Sequence, residues 1–147
     1  MQVEEIFVRL GAALFLGMII GLERVLTRND AGMRTYGLMS MGSALFMILA
    51  IRIGIGYGAT GEALRVLGQI VSGIGFLGAG LIFFSKDEHK RVGMTSAASM
   101  WVVAGIGAAC GLGFYDEAIV ATFLVIFALT AILFIEKKVE AKFHKNK

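Results

Sequence analysis

The chain has 147 residues, 57% of them hydrophobic and 17% charged, with a mean hydropathy of +0.79. That excludes a conventional soluble domain, and a formal charge of +3 says nothing about nucleic acid where the sign acts through its distribution between loops. A spanning helix needs about 20 mostly apolar residues, so five would fill about 100 positions and leave no room for a second folded domain. The single cysteine, Cys110, lies in an apolar stretch and excludes an internal disulfide, and the absence of proline excludes a Pro-rich linker.

The first predicted span runs from Val3 or Ile6 to Leu22. Arg9 precedes its uninterrupted apolar core, Leu10 to Leu22, and must snorkel or pair within the bundle; Glu23 and Arg24 close it. A secretory signal would begin with basic residues, whereas this N-terminus carries Glu4 and Glu5, so the segment is read as retained. The second span covers about Thr35 to Ile53, followed by a glycine-containing loop and a short surface helix around Glu62 to Val66. The third, Leu67 to Phe84, has no charge; the fourth covers Thr95 to Tyr115 and the fifth Ala118 to Ile135. Residues 1–136 thus form an all-α transmembrane domain of five helices, and 137–147 a basic tail.

Lysines and arginines in the connections set the expected orientation. Taking alternate sides, one side holds eleven, including Arg24, Arg28, Arg34, Lys90 and the five tail lysines, and the other holds three: Arg9, Arg52 and Arg65. The positive-inside rule then puts the N-terminus outside and the C-terminus in the cytoplasm, which requires an odd number of spans.

Helices in lipid associate through small residues that let backbones approach. Such residues recur four apart at Ala13, Gly17 and Gly21, at Ser40 and Ala44, at Gly75 and Ala79, and at Gly107 and Gly111; the bulkier fifth span is expected at the periphery. The run Gly73 to Gly78 spells a dinucleotide-binding pattern, but it sits inside an apolar span and not between a strand and a soluble helix, so it is read as packing. The other reading of such clustered glycines is a helix break beside a cavity. A weak internal repeat at an offset of 61 aligns Phe15, Leu16 and Gly17 with Phe76, Leu77 and Gly78, and Gly32 and Met33 with Gly93 and Met94.

Glu23 and Arg24 are adjacent on the helix, and adjacent positions do not face each other, so each is expected to need another partner. Arg34, where the chain returns to the membrane, is the expected partner of Glu23, the alternative being ordinary solvated interfacial charges. Thr35 and Thr95 mark the starts of spans two and four, where free N–H groups with Arg24, Lys90 and Arg91 could receive an anion or a lipid phosphate; simple capping by the hydroxyls is the blander reading. Gln69, Ser72 and Trp101 are the interior polar or amphipathic side chains expected to bond between helices. His89 and His144 lack metal-ligand spacing, and Asp116 with Glu117 is too sparse for a cation site, so no metal and no cofactor are expected.

The blocks Gly21 to Arg24 (GLER), Ala31 to Thr35 (AGMRT), Val71 to Gly80 (VSGIGFLGAG) and Gly93 to Trp101 (GMTSAASMW) together resemble the MgtC/SapB family of bacterial inner-membrane proteins. The resemblance implies a five-helix, multi-pass protein of the cytoplasmic membrane with no enzymatic reaction, some members being linked to growth in low magnesium and to control of partner membrane proteins. Virulence-associated members continue into a C-terminal cytoplasmic domain, whereas this chain stops at Lys147, so the transmembrane domain alone is expected. The family blocks point to Glu23, Arg24, Arg34, Thr35, Ser72, Gly75, Gly78, Thr95 and Trp101. The expected function is a regulator that works through contacts with lipids, other inner-membrane proteins or a second copy of itself, with no nucleic acid involved. The alternative is a small transporter or channel with spans three and four lining the path.

Overall fold

A computed structural model of the chain describes residues 1–27, 31–57, 61–84 and 90–132. Five helices follow one another: α1 (Val3–Leu26), α2 (Met33–Tyr57), α3 (Glu62–Phe84), α4 (Lys90–Leu112) and α5 (Tyr115–Phe127), the last running into one wide π-helical turn, Ala128–Ile132. Each is long and apolar enough to cross a membrane. The tail 137–147, the expected end of the fifth span at Ile135, and both histidines lie outside the described residues.

Several boundaries differ from expectation: α1 runs on past Leu22 to Leu26, and α2 runs from Met33 to Tyr57, beyond the expected Thr35 and Ile53 and through Gly54 and Gly56. Glu62 to Val66 is the first part of α3 and not a separate surface helix, because Ala63, Val66, Leu67 and Ile70 share one face and pack on Met47, Ala104 and Ala108. The fourth helix starts at Lys90, ahead of Thr95; the intervening Gly93 is buried, and no residue there breaks a helix. It stops at Leu112, three residues early, because Gly113 takes a φ of +88°. The Gly113 N–H then donates to the Cys110 carbonyl at 3.0 Å and the Phe114 N–H to the Ala109 carbonyl at 2.9 Å, the pair of reversed bonds that closes a helix on glycine. Tyr115 therefore opens α5, and Asp116 and Glu117 fall in its first turn, where negative charge suits the helix dipole.

Helix α4 lies at the centre and touches α1, α2, α3 and α5; α3 and α5 are the outer members. Glycines decide the central crossings. A methyl group added at Gly17 would lie 2.6 Å from the Tyr36 carbonyl oxygen and 2.8 Å from Ser40 Cβ, and one at Gly21 would lie 2.6 Å from Met33 Cα. Gly107 sits directly against the Ser40 backbone, and Gly111 against that of Ala44. These are the small-residue faces read in the sequence. The expected face at Gly75 is not used: nothing lies within 4 Å of it, and Gly78 instead meets Ala97. Gly17 meets Tyr36 and Gly78 meets Ala97, 19 residues on in both cases, so the hairpins α1–α2 and α3–α4 repeat one contact at the offset of 61. Phenylalanines 7, 15, 76, 83 and 123 point outward, as lipid-facing side chains do.

Candidate functional site

Where α1 ends and α2 and α4 begin, the bundle encloses a polar cluster. On α2, Tyr36, Ser40 and Ser43 follow i, i+4, i+7 spacing and form one buried stripe; on α4, Ser96 and Ser99 continue into Val103, Ile106 and Cys110 at the same periodicity. The Tyr36 side chain is fully buried, its hydroxyl 2.7 Å from Ser99 Oγ and donating toward the Ser96 carbonyl at 3.2 Å. Ser99 Oγ also donates to the Ser96 carbonyl at 2.9 Å, closing a three-membered network between α2 and α4. On the α1 side, Glu23 and Arg24 are 8% and 4% exposed.

The relation between these two residues overturns the expectation that they cannot pair. Arg24 Nε donates to Glu23 Oε2 at 2.6 Å. Neighbouring positions on a helix diverge by about 100°, but an arginine stem is long enough to bend across that angle, and in a medium of low dielectric the nearest opposite charge dominates. Arg34 is not the partner of Glu23: it is exposed. Two residues ahead of Tyr36, it is turned about 200° from the buried stripe. Thr35 is exposed beside it, in the first turn of α2, and Thr95 is exposed well inside α4, so neither stands at the cap of its helix. Arg24, one of the cations expected to serve an anion site at these helix starts, is paired with Glu23, and the side chains of Lys90 and Arg91 lie outside the described residues.

Of the other family-motif residues, Ser72 and Gly75 lie exposed on the outer face of α3 together with Gln69. Trp101 is half-exposed and lines an apolar groove of about 300 Å³ between α3, α4 and α5. The structure thus brings together Glu23 and Arg24, uses Gly78 for packing, and leaves Arg34, Thr35, Ser72, Gly75 and Thr95 on the surface of the single chain. Sequence reasoning missed Tyr36 and Ser99 and read Ser40 only as a small packing residue, although their helical spacing in apolar spans was the available signal.

Chemically the cluster is a compensated buried ion pair beside a hydroxyl network, with two atoms unfilled: Glu23 Oε1 and Ser40 Oγ are buried without a hydrogen-bond partner. Both are acceptors, and Ser40 Oγ is also a donor. Among the described residues no group of three or more His, Cys, Asp or Glu side chains comes together to hold a metal ion.

Comparison with known proteins gives the chain its relatives. It matches the MgtC family over residues 10–138. It is 39% identical to Protein MgtC of Salmonella typhimurium strain LT2 over 117 residues, covering 80% of this chain and 48% of that protein. It is 33% identical to Protein SapB of Bacillus subtilis strain 168 over 139 residues, covering 92% of this chain and 60% of SapB, and 33% identical over 147 residues to a Haemophilus influenzae protein, covering 97% and 61%. The chain therefore spans about three fifths of the length of these last two relatives. No solved structure matches it. With the family match running from the first helix to beyond the last described turn, this five-helix multi-pass membrane protein belongs to the MgtC family.

Proposed function

We propose that the chain is a non-enzymatic regulator of the bacterial inner membrane that acts by docking against other membrane proteins or a second copy, in adaptation to low magnesium or related ionic stress. The observation that carries the docking is the bare face of α3. Only 6% of its apolar stretch is buried, and Gly68 and Gly75 have nothing within 4 Å of where a side chain would begin. Ser72 lies on the same face and Gln69 beside it, both exposed. Lipid offers no hydrogen bond to an amide and gains little from a flat glycine surface, whereas another helix gains from both. The magnesium part rests on the family resemblance, and the orientation, with the C-terminus in the cytoplasm, rests on the distribution of lysine and arginine. The polar side chains of α3 and α4 support a transport path less: Gln69, Ser72 and Thr95 are exposed, so within one chain they do not converge with the buried Ser96.

A membrane pull-down with quantified partners, at low and high magnesium, tests the reading. Gly75→Leu and Ser72→Leu should each deplete the co-purifying partner several-fold. A partner profile indifferent to both substitutions, or solute flux in liposomes that Ser72→Leu abolishes, would overturn it.

A further inference from the structure

The opposite end of the bundle holds a site that the polar cluster does not account for. There the N-terminal part of α1, the C-terminal part of α2 and the end of α4 enclose a cleft of about 470 Å³, lined by Glu5, Arg9, Ile51, Arg52, Ile55 and Leu112 among others. Arg9 is held in place: Nη1 donates to the Gly111 carbonyl at 2.6 Å, at the negative end of α4, and Nη2 pairs with Glu5 Oε1 at 2.5 Å. Two of its five donors are thereby used, and Nε is buried without a partner. Arg52 is exposed, and no ion pair involves it among the described residues. The lining groups thus carry a positive excess: two guanidinium groups and the Met1 α-amino group against the one carboxylate of Glu5.

Depth matters. Arg9 stands six residues inside the start of α1 and Arg52 five residues inside the end of α2, roughly 8–9 Å from the helix ends at 1.5 Å per residue. A helix of this length exceeds the ~30 Å hydrocarbon core by only about 3–4 Å at each end, so both Cα atoms lie about 4–6 Å inside the core and each guanidinium group reaches the polar boundary by extending along its helix. A guanidinium there is stabilised by drawing a phosphate toward it, and the apolar wall of Ile51, Ile55 and Leu112 suits the chains below such a headgroup.

We propose that this cleft binds a phosphate group through Arg9 and Arg52, and that its occupant is the phosphodiester of an anionic lipid. The apolar wall below the two guanidinium groups favours a phosphodiester joined to lipid chains over free inorganic phosphate, which has nothing to place against Ile51, Ile55 and Leu112.

The test uses the full chain reconstituted in vesicles of phosphatidylcholine with graded phosphatidylglycerol, and native mass spectrometry to count retained lipids. Phosphatidylglycerol should be retained preferentially, and Arg52→Gln should lower its retention about fivefold, the effect expected of one interfacial cation. Arg34→Gln, at the other end of the bundle, should leave it unchanged. Arg52 is exposed, and continued protection of the buried Cys110 thiol would show that the variant folds; Arg9→Gln, which also removes a bond to α4, is the second variant. Inorganic phosphate titrated onto lipid-depleted protein separates the sources: Arg52-dependent phosphate binding without lipid preference would keep the phosphate site and overturn the lipid assignment. Equal retention of both lipids with no phosphate binding, or a lipid preference that survives Arg52→Gln in folded protein, would overturn the proposal.

Discussion

Replacing Gly107 by alanine probes the tightest crossing in the molecule. The added methyl group would sit 2.6 Å from the carbonyl carbon of Ser40 and 2.7 Å from its Cα, with the carbonyl oxygen nearer still. All are backbone atoms of a helix and none can swing aside, so α2 and α4 must separate by about 1.4 Å to bring the carbonyl oxygen to ordinary contact. A gap of that size forfeits more than about half of the attraction of each atom pair along the crossing. Overpacking of this kind costs about 1–3 kcal/mol, and the absence of a flexible neighbour puts Gly107→Ala toward the upper part of that range, partly offset by alanine's better helix propensity. The net is about 2 kcal/mol, or about thirtyfold in the unfolding equilibrium. Gly105, two residues away on the same helix, is the internal control: nothing lies within 4 Å of its added carbon, so Gly105→Ala should be neutral or slightly stabilising. The chain supplies its own reporter, because its single thiol, Cys110, is fully buried one turn further along α4. Maleimide labelling of Cys110 in mixed micelles of increasing dodecyl sulfate content should then proceed about thirtyfold faster in Gly107→Ala than in Gly105→Ala. Equal rates in the two variants would refute the assignment of this crossing to backbone contact.

The buried pair of Glu23 and Arg24 should show strong coupling: Arg24→Gln leaves a carboxylate buried without its cation and should cost about 3–5 kcal/mol, while Glu23→Gln with Arg24→Gln should recover part of that loss in the same labelling assay. A double variant no better than Arg24→Gln alone would show that the two charges do not compensate each other. Tyr36→Phe and Ser99→Ala should each weaken the bundle modestly, with a coupling of about 0.6 and at most about 1.7 kcal/mol in a double-mutant cycle, the range for hydrogen bonds between helices in membranes. Purely additive effects would mean that their 2.7 Å contact contributes nothing. Gly113→Ala should cost at least about 1 kcal/mol, through its positive φ and because the added methyl group would lie 3.2 Å from Arg9 Nη2; a thermal midpoint equal to that of the unsubstituted chain would refute it.

Much of the architecture is legible along the chain. Five apolar stretches of spanning length give five helices, and the small residues at Ala13, Gly17 and Gly21, at Ser40 and Ala44, and at Gly107 and Gly111 name the faces on which α1, α2 and α4 meet. Both are local properties: length and hydropathy fix whether a segment spans, and the lack of a side chain fixes how closely a backbone can be approached. The motif blocks that resemble the MgtC/SapB family are likewise readable before any fold is known.

Which way each helix turns is another matter, and there only the tertiary structure decided. In a soluble bundle the inward face announces itself by being apolar, but here the surroundings are as apolar as the core, so hydropathy has almost no contrast between the two sides. That is why Arg34 reads equally well as a partner for Glu23, although the rotation that buries Tyr36, Ser40 and Ser43 turns it outward. Gly75 and Gly78 are indistinguishable as letters, yet Gly78 meets Ala97 while Gly75 lies on the bare side of α3. The pairing of Glu23 with Arg24 depends on the same rotation, since it is burial beside α2 and α4 that removes the competing water and draws the arginine back onto its neighbour.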